Sequence, residues 1–173
     1  GVTLKLLNAD GTDTGKRAVT NSQGYYEFTN IGPGTYSVVE VHPTGWLDGL
    51  DTPGNRGGVA NNAVGGDIIQ QITITLGNDA EEYNFGELLP GSIRGTVHVT
   101  TTPDCLPDPN YPNLSGVTIE LLNANGQVIA TTQTDADGNY AFENLRPGVY
   151  SVREIQPVNY FDGGYHLGTG GGS

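Results

Sequence analysis

The sequence concentrates side-chain oxygens at Asp135-Ala136-Asp137-Gly138-Asn139, where two carboxylates and an amide alternate around a glycine. Calcium takes roughly six to eight oxygen ligands in a flexible cage. Asp135, Asp137 and Asn139 are therefore candidate calcium ligands, with Asp104 and Asp108 of a nearby proline-rich stretch as further donors. The set is incomplete, because no loop of about twelve residues closing on a glutamate is present. The competing reading is a hairpin turn, which Asp-Ala-Asp-Gly also makes. Trp46 and Tyr160, with Phe161, Tyr165 and Tyr111, are the candidate stacking surface for a glycan or protein ligand; against that stands their use as core or edge cover. Asp48 and Asp162 recur beside an aromatic residue, in Trp46-Leu47-Asp48-Gly49 and Tyr160-Phe161-Asp162-Gly163. Paired carboxylates can do acid–base work, but recurrence at one place in two segments points to a turn. His42, His98 and His166 are scattered and lack the short spacing of zinc ligands. Cys105 is the single cysteine, so no internal disulfide or Cys-based zinc site can form. There is no Gly-x-Ser-x-Gly elbow. With no nucleophile, base and orienting group in one pattern, the sequence predicts no enzyme, no catalytic residue and no cofactor other than the calcium weighed above.

Composition narrows the partners. The chain carries 19 acidic and 7 basic residues, a formal charge of −12. Basic recognition of a phosphate backbone is excluded at that balance. No apolar run approaches the ~18 residues that cross a membrane as a helix. Lysine is confined to positions 5 and 16 and methionine is absent, a composition that fits an exposed extracellular protein. The opening Gly1-Val2-Thr3-Leu4 does not read as a signal peptide, and the Gly-rich end 168–173 reads as a flexible tail or cut edge. Both lead to the expectation of a fragment from a longer polypeptide.

The elements that would position these residues come from a repeat. Gly1-Val2-Thr3-Leu4-Lys5-Leu6-Leu7-Asn8-Ala9 matches Gly116-Val117-Thr118-Ile119-Glu120-Leu121-Leu122-Asn123-Ala124 at an offset of 115. Thr20 to Phe28 matches Thr134 to Phe142, and Pro33 to Glu40 matches Pro147 to Glu154, both at 114. Apolar and polar residues alternate within each block, the period of a half-buried strand. Asp10-Gly11 and Asn125-Gly126 are hairpin dipeptides. Tyr26 and Phe28, like Tyr140 and Phe142, should alternate inward. Tyr36, Val38 and Glu40 should share one strand face. Residues 67–76 alternate Ile and Thr, 82–86 read as a closing strand, and 92–99 read as the first strand of the second unit. Leu88-Leu89-Pro90-Gly91 links the two. No stretch has helical period, so the prediction is all-β, with domains at 1–90 and 91–173. The first unit lacks its first strand and the second its last.

The blocks at 116–124, 134–142 and 146–154 resemble the SdrD B-like repeat, and more widely the Cna B-type, Ig-like and prealbumin-like Greek-key β-sandwiches. The resemblance implies tandem sandwiches acting as a non-catalytic structural spacer in a bacterial adhesin-like protein at the cell surface or outside the cell. Neighbouring repeats would be the first partners, with extracellular matrix, a glycan or a cell-surface protein as further ones. The alternative reading is a binding module or an accessory domain of an extracellular enzyme. The resemblance also raises a Lys–Asn or Lys–Asp isopeptide bond promoted by a buried carboxylate. Glu40 and Glu154 occupy the carboxylate position and Asn84 the closing strand, but the lysine is missing. Arg94 stands in the first strand of the second unit, and Lys5 is out of phase with Leu4 and Leu6. Without the bond, Glu40 and Glu154 should cap a nearby loop.

Overall fold

The structure, a computed structural model, describes residues 1–101, 109–165 and 167. No helix occurs among them, and the chain separates into two compact units, residues 1–90 and from Gly91 onward. Unit 1 contains β1 (Thr3–Asn8), β2 (Asp13–Val19), β3 (Gly34–Val41), β4 (Leu47–Asp48), β5 (Val59–Asn61), β6 (Ile68–Ile74) and β7 (Glu87–Leu88). Five of these form an antiparallel sheet in the order β2-β1-β3-β6-β5, while β4 pairs with β7. The β1–β2 hairpin closes where Gly11, at φ 83°, donates its N–H to the Asn8 carbonyl at 2.9 Å. Leu4 and Leu6 turn inward, joined by Val38, Ile69, Ile72 and Tyr83. Tyr26, Phe28, Ile31 and Phe85 pack over that face.

In unit 2, β8 (Gly91–Thr96) pairs with β11 (Asn139–Leu145), and β9 (Thr118–Asn123) lies between β10 (Val128–Gln133) and β12 (Tyr150–Glu154). Val117, Ile119 and Leu121 meet Phe142 and Ile93 in its core. The repeat extends to backbone detail. Asn30 and its counterpart Asn144 both adopt left-handed φ, 54° and 57°, a conformation asparagine tolerates better than most residues.

Two strand expectations need correction. Residues 25–28 are not a strand, although their counterparts in β11 are. The ladder partner of β11 is β8, and among the described residues no strand pairs with 25–28. Residues 82–86 form a single bridge, Thr52 with Asn84, and the short strand begins only at Glu87. Asp104, Cys105, Asp108 and His166 lie outside the described residues.

Candidate functional site

Ionisable side chains converge at the far end of β3. Inward alternation after Tyr36 and Val38 brings Glu40 to the core face, where it is only 7% exposed. Glu40 donates its backbone N–H to the Asp67 carbonyl at 2.9 Å, which places Asp67 beside it. The β4–β7 pairing sets Asp48 directly opposite Glu87. The bridge between Thr52 and Asn84 continues that contact and draws in Asp51, 4% exposed. His42 follows the end of β3.

The polar accounting within this group is uneven. Asp48 Oδ2 accepts the N–H groups of Gly65 and Gly66, at 2.7 and 3.3 Å. Asp51 Oδ1 accepts Gly86 N–H at 3.4 Å. Asp51 Oδ2, Asp67 Oδ1 and both Glu87 oxygens are shut from solvent with no N–H donor, and the one O–H that reaches Glu87 is that of the Glu40 carboxyl when it is protonated. His42 Nε2 lies 3.0 Å from the Trp46 carbonyl. Its Nδ1 lies 3.3 Å from Glu87 Oε1 and 3.7 Å from Asp67 Oδ1. His42, Asp67 and Glu87 thus offer one ligand atom each, all within 4.8 Å of one another.

Glu40, Asp51, Glu87 and His42 are all shifted upward. Burial, and then the facing Glu87 carboxylate, push Glu40 up to about 8. Burial raises Asp51 to about 6 against the Gly86 hydrogen bond, and raises Glu87 too. The Trp46 carbonyl raises His42, with help from Glu87, Asp67 and Asp48 against desolvation. Folded unit 1 therefore holds protons that the unfolded chain gives up. The stability linked to them is fully present below the ordinary carboxyl range and is lost as pH climbs through about 6 and then about 8. In chelator-containing buffer, the thermal midpoint of unit 1 should fall steadily between pH 5 and pH 8. Each proton involved contributes a slope of at most about 1.4 kcal/mol per pH unit. A midpoint that is flat or rises over that range contradicts this account.

The residues singled out from sequence fall elsewhere. Asp135 Oδ1 accepts the N–H groups of Asp137 and Asn139 at 2.9 and 2.8 Å, and Asn139 Oδ1 accepts the Thr96 hydroxyl at 2.8 Å. In unit 1, Asn21 Oδ1 makes the same pair of bonds, to Gln23 and Tyr25 at 2.9 and 3.0 Å. That turn needs a side-chain oxygen rather than a charge. Trp46 and Tyr160 are 43% and 44% exposed, one in each unit. Their carbonyls are held alike, by His42 Nε2 at 3.0 Å and by the Gln156 amide at 3.2 Å. Asp162 Oδ1 accepts Gly164 N–H at 2.9 Å and so secures its own turn, whereas Asp48 holds the distant Gly65 backbone. Lys5 pairs across the sheet with Val39, whereas Leu4 pairs with Glu40, which places the lysine on the face away from that carboxylate. Glu40 faces Glu87 instead of capping a loop. Asp51, Asp67 and Glu87 escaped the sequence reading. The available signal was Glu40 itself, a carboxylate in phase with Tyr36 and Val38, which demands polar company in the core.

Comparison with known proteins places both units. The SdrD B-like domain model matches residues 1–86 and again 91–170. Serine-aspartate repeat-containing protein D of Staphylococcus aureus (strain Newman) is 32% identical over 180 residues, covering 92% of this chain and 12% of that protein. Serine-aspartate repeat-containing protein F of Staphylococcus epidermidis is 32% identical over 164 residues, covering 92% of this chain and 9% of the relative. Among solved structures, the Bacillus anthracis TIE protein aligns with 90% of this chain and 25% of its own, at 16% identity and a TM-score of 0.38. The chain spans about a tenth of the length of these curated relatives. Two successive matches to one model, and relatives at this identity across nearly all of the chain, show that it belongs to the SdrD B-like domain family.

Proposed function

We propose that this chain is a pair of non-catalytic spacer repeats within a larger bacterial adhesin-like protein, at the cell surface or outside the cell, with neighbouring repeats of its own polypeptide as its first partners. The observation that carries the reading is the tandem itself. One hydrogen-bonded core is built twice, and only Leu89 and Pro90 separate the last strand of unit 1 from the first of unit 2. Such duplication multiplies length without adding chemistry. Glu40, Asp48 and Asp51 of the ionisable group in unit 1 are buried, which suits a structural role. Net charge of −12 keeps a β-rich chain soluble.

Pulling single molecules of the chain between folded handles tests this reading. Two discrete force peaks are expected, each releasing on the order of 300 Å of chain for a unit of this size. Extension without discrete peaks overturns the spacer reading.

A further inference from the structure

We propose that His42, Asp67 and Glu87 form a binding site for one divalent transition-metal ion of the zinc class. The inference stands apart from the spacer reading, because it rests on one geometric problem inside unit 1.

His42 is oriented from outside the cluster. The counterpart of its bond to the Trp46 carbonyl in unit 2 is made by the Gln156 amide, which can only donate. A donor at this place thus belongs to the loop in both copies, and it fixes the proton of a neutral His42 on Nε2. Nδ1 then turns a lone pair toward Glu87 Oε1 and Asp67 Oδ1, at 3.3 and 3.7 Å. In that neutral form the three facing atoms are all acceptors, and the Glu40 carboxyl on the other side of Glu87 is the one donor to the group. Binding the far nitrogen to a backbone carbonyl is how metal-ligating histidines are held.

The spacing suits the ion. Bonds of about 2.0–2.1 Å in a tetrahedral site place ligand atoms roughly 3.4 Å apart, and the two histidine separations straddle that value. An imidazole nitrogen in the set favours zinc-class ions over calcium and magnesium, which prefer oxygen throughout. The second observation is Asp51. It is 4% exposed, its Oδ1 is held by Gly86 N–H at 3.4 Å beside Glu87, and its Oδ2 has no partner. A carboxylate oxygen sealed without a donor beside two further carboxylates calls for positive charge at that place. The His42 side chain remains a third exposed, against 16% and 14% for Asp67 and Glu87, so an ion can enter past the imidazole.

The three ligands come from the end of β3, the loop before β6 and the start of β7. An ion would staple segments that are distant in sequence, a device by which small domains gain stability. Unit 2 has Gln156 in place of His42, so one ion per chain is expected.

The test is calorimetric titration of zinc, manganese and calcium chlorides into the full chain after chelator treatment. A Cys105→Ser background keeps the lone thiol from taking the ion. One zinc ion should bind per chain, and zinc should raise the midpoint of unit 1. His42→Gln copies the loop clamp of unit 2 while removing Nδ1, and should weaken zinc binding at least about tenfold. Glu87→Gln should do the same, and His98→Gln should leave the affinity unchanged. The metal-free melts of these variants report folding separately. Absence of zinc binding overturns the site, leaving His42 as a protonated partner of two carboxylates. So does zinc affinity that survives both His42→Gln and Glu87→Gln, or calcium binding that matches or exceeds zinc.

Discussion

Ile69→Ala should remove about 3 kcal/mol from the stability of unit 1 while unit 2 unfolds where it did before. Ile69 is fully buried. It pairs across the ladder with Val38 on one side and Ala60 on the other, so it is flanked by strands on both sides. Truncating a buried isoleucine loses the transfer free energy of three carbons and leaves a void that the sheet cannot close, an effect of roughly 2–5 kcal/mol. In a domain of this size, that is a large share of a total expected to be on the order of 5 kcal/mol. The chain supplies its own reporter, because Trp46 is the only tryptophan and belongs to unit 1. Denaturant unfolding followed by tryptophan fluorescence should move to a lower midpoint. Far-ultraviolet dichroism, which sees both units, should separate into two steps. A fluorescence shift worth less than about 1 kcal/mol would remove Ile69 from the centre of the core. A shift of both steps together would mean that the units unfold as one.

Ile69 also marks the limit of what alternation reveals. Side chains three apart cannot share a face of a regular strand, yet Ile69 and Ile72 are both buried. A bulge reconciles them. The β3–β6 register slips between Tyr36 and Val38, and Gln71 sits at φ 60°. The repeat blocks, the hairpin dipeptides and the inward turn of Leu4, Leu6, Tyr36 and Val38 were legible because each depends on neighbours in sequence. The bulge was not, since glutamine carries no preference for that conformation. The 25–28 segment has the residues of β11 but not its structure, because strand formation there depends on a partner rather than on Tyr26 and Phe28. The ionisable cluster was hidden for a related reason. His42, Asp67 and Glu87 are 25 and 20 residues apart, and only the return of β7 beside β4 unites them. Short ligand spacing, by which zinc sites are usually found, cannot detect a site assembled from three loops and strand ends.

That return depends on a glycine, and its replacement is the second large effect. A Cβ at Gly54 would collide with the backbone carbonyl of Glu81 and stand 2.8 Å from the Tyr83 ring. Neither neighbour can yield alone. Asn55 donates its N–H to the Glu81 carbonyl at 3.0 Å, and Glu81 N–H returns to Asn55 Oδ1 at 2.9 Å. Arg56 N–H donates to the Tyr83 hydroxyl at 3.1 Å, and that hydroxyl donates to the Gly57 carbonyl at 2.9 Å. Relief therefore means parting the 53–57 segment from 79–83 and lifting Tyr83, a core residue, off Ile69 and its neighbours. Overpacking with broken hydrogen bonds of this kind costs about 3 kcal/mol or more. Gly54→Ala should lower the tryptophan-reported midpoint accordingly. Glu87 lies four residues beyond Tyr83, so zinc affinity should fall in the same variant. Gly32→Ala is the matched comparison. Its added methyl meets nothing within 4 Å and its φ lies outside the left-handed region, so it should be neutral or slightly stabilising. Equal melts for the two variants would show that the 53–57 and 79–83 segments yield freely, and the fixed placement of Glu87 beside Asp48 would lose its basis.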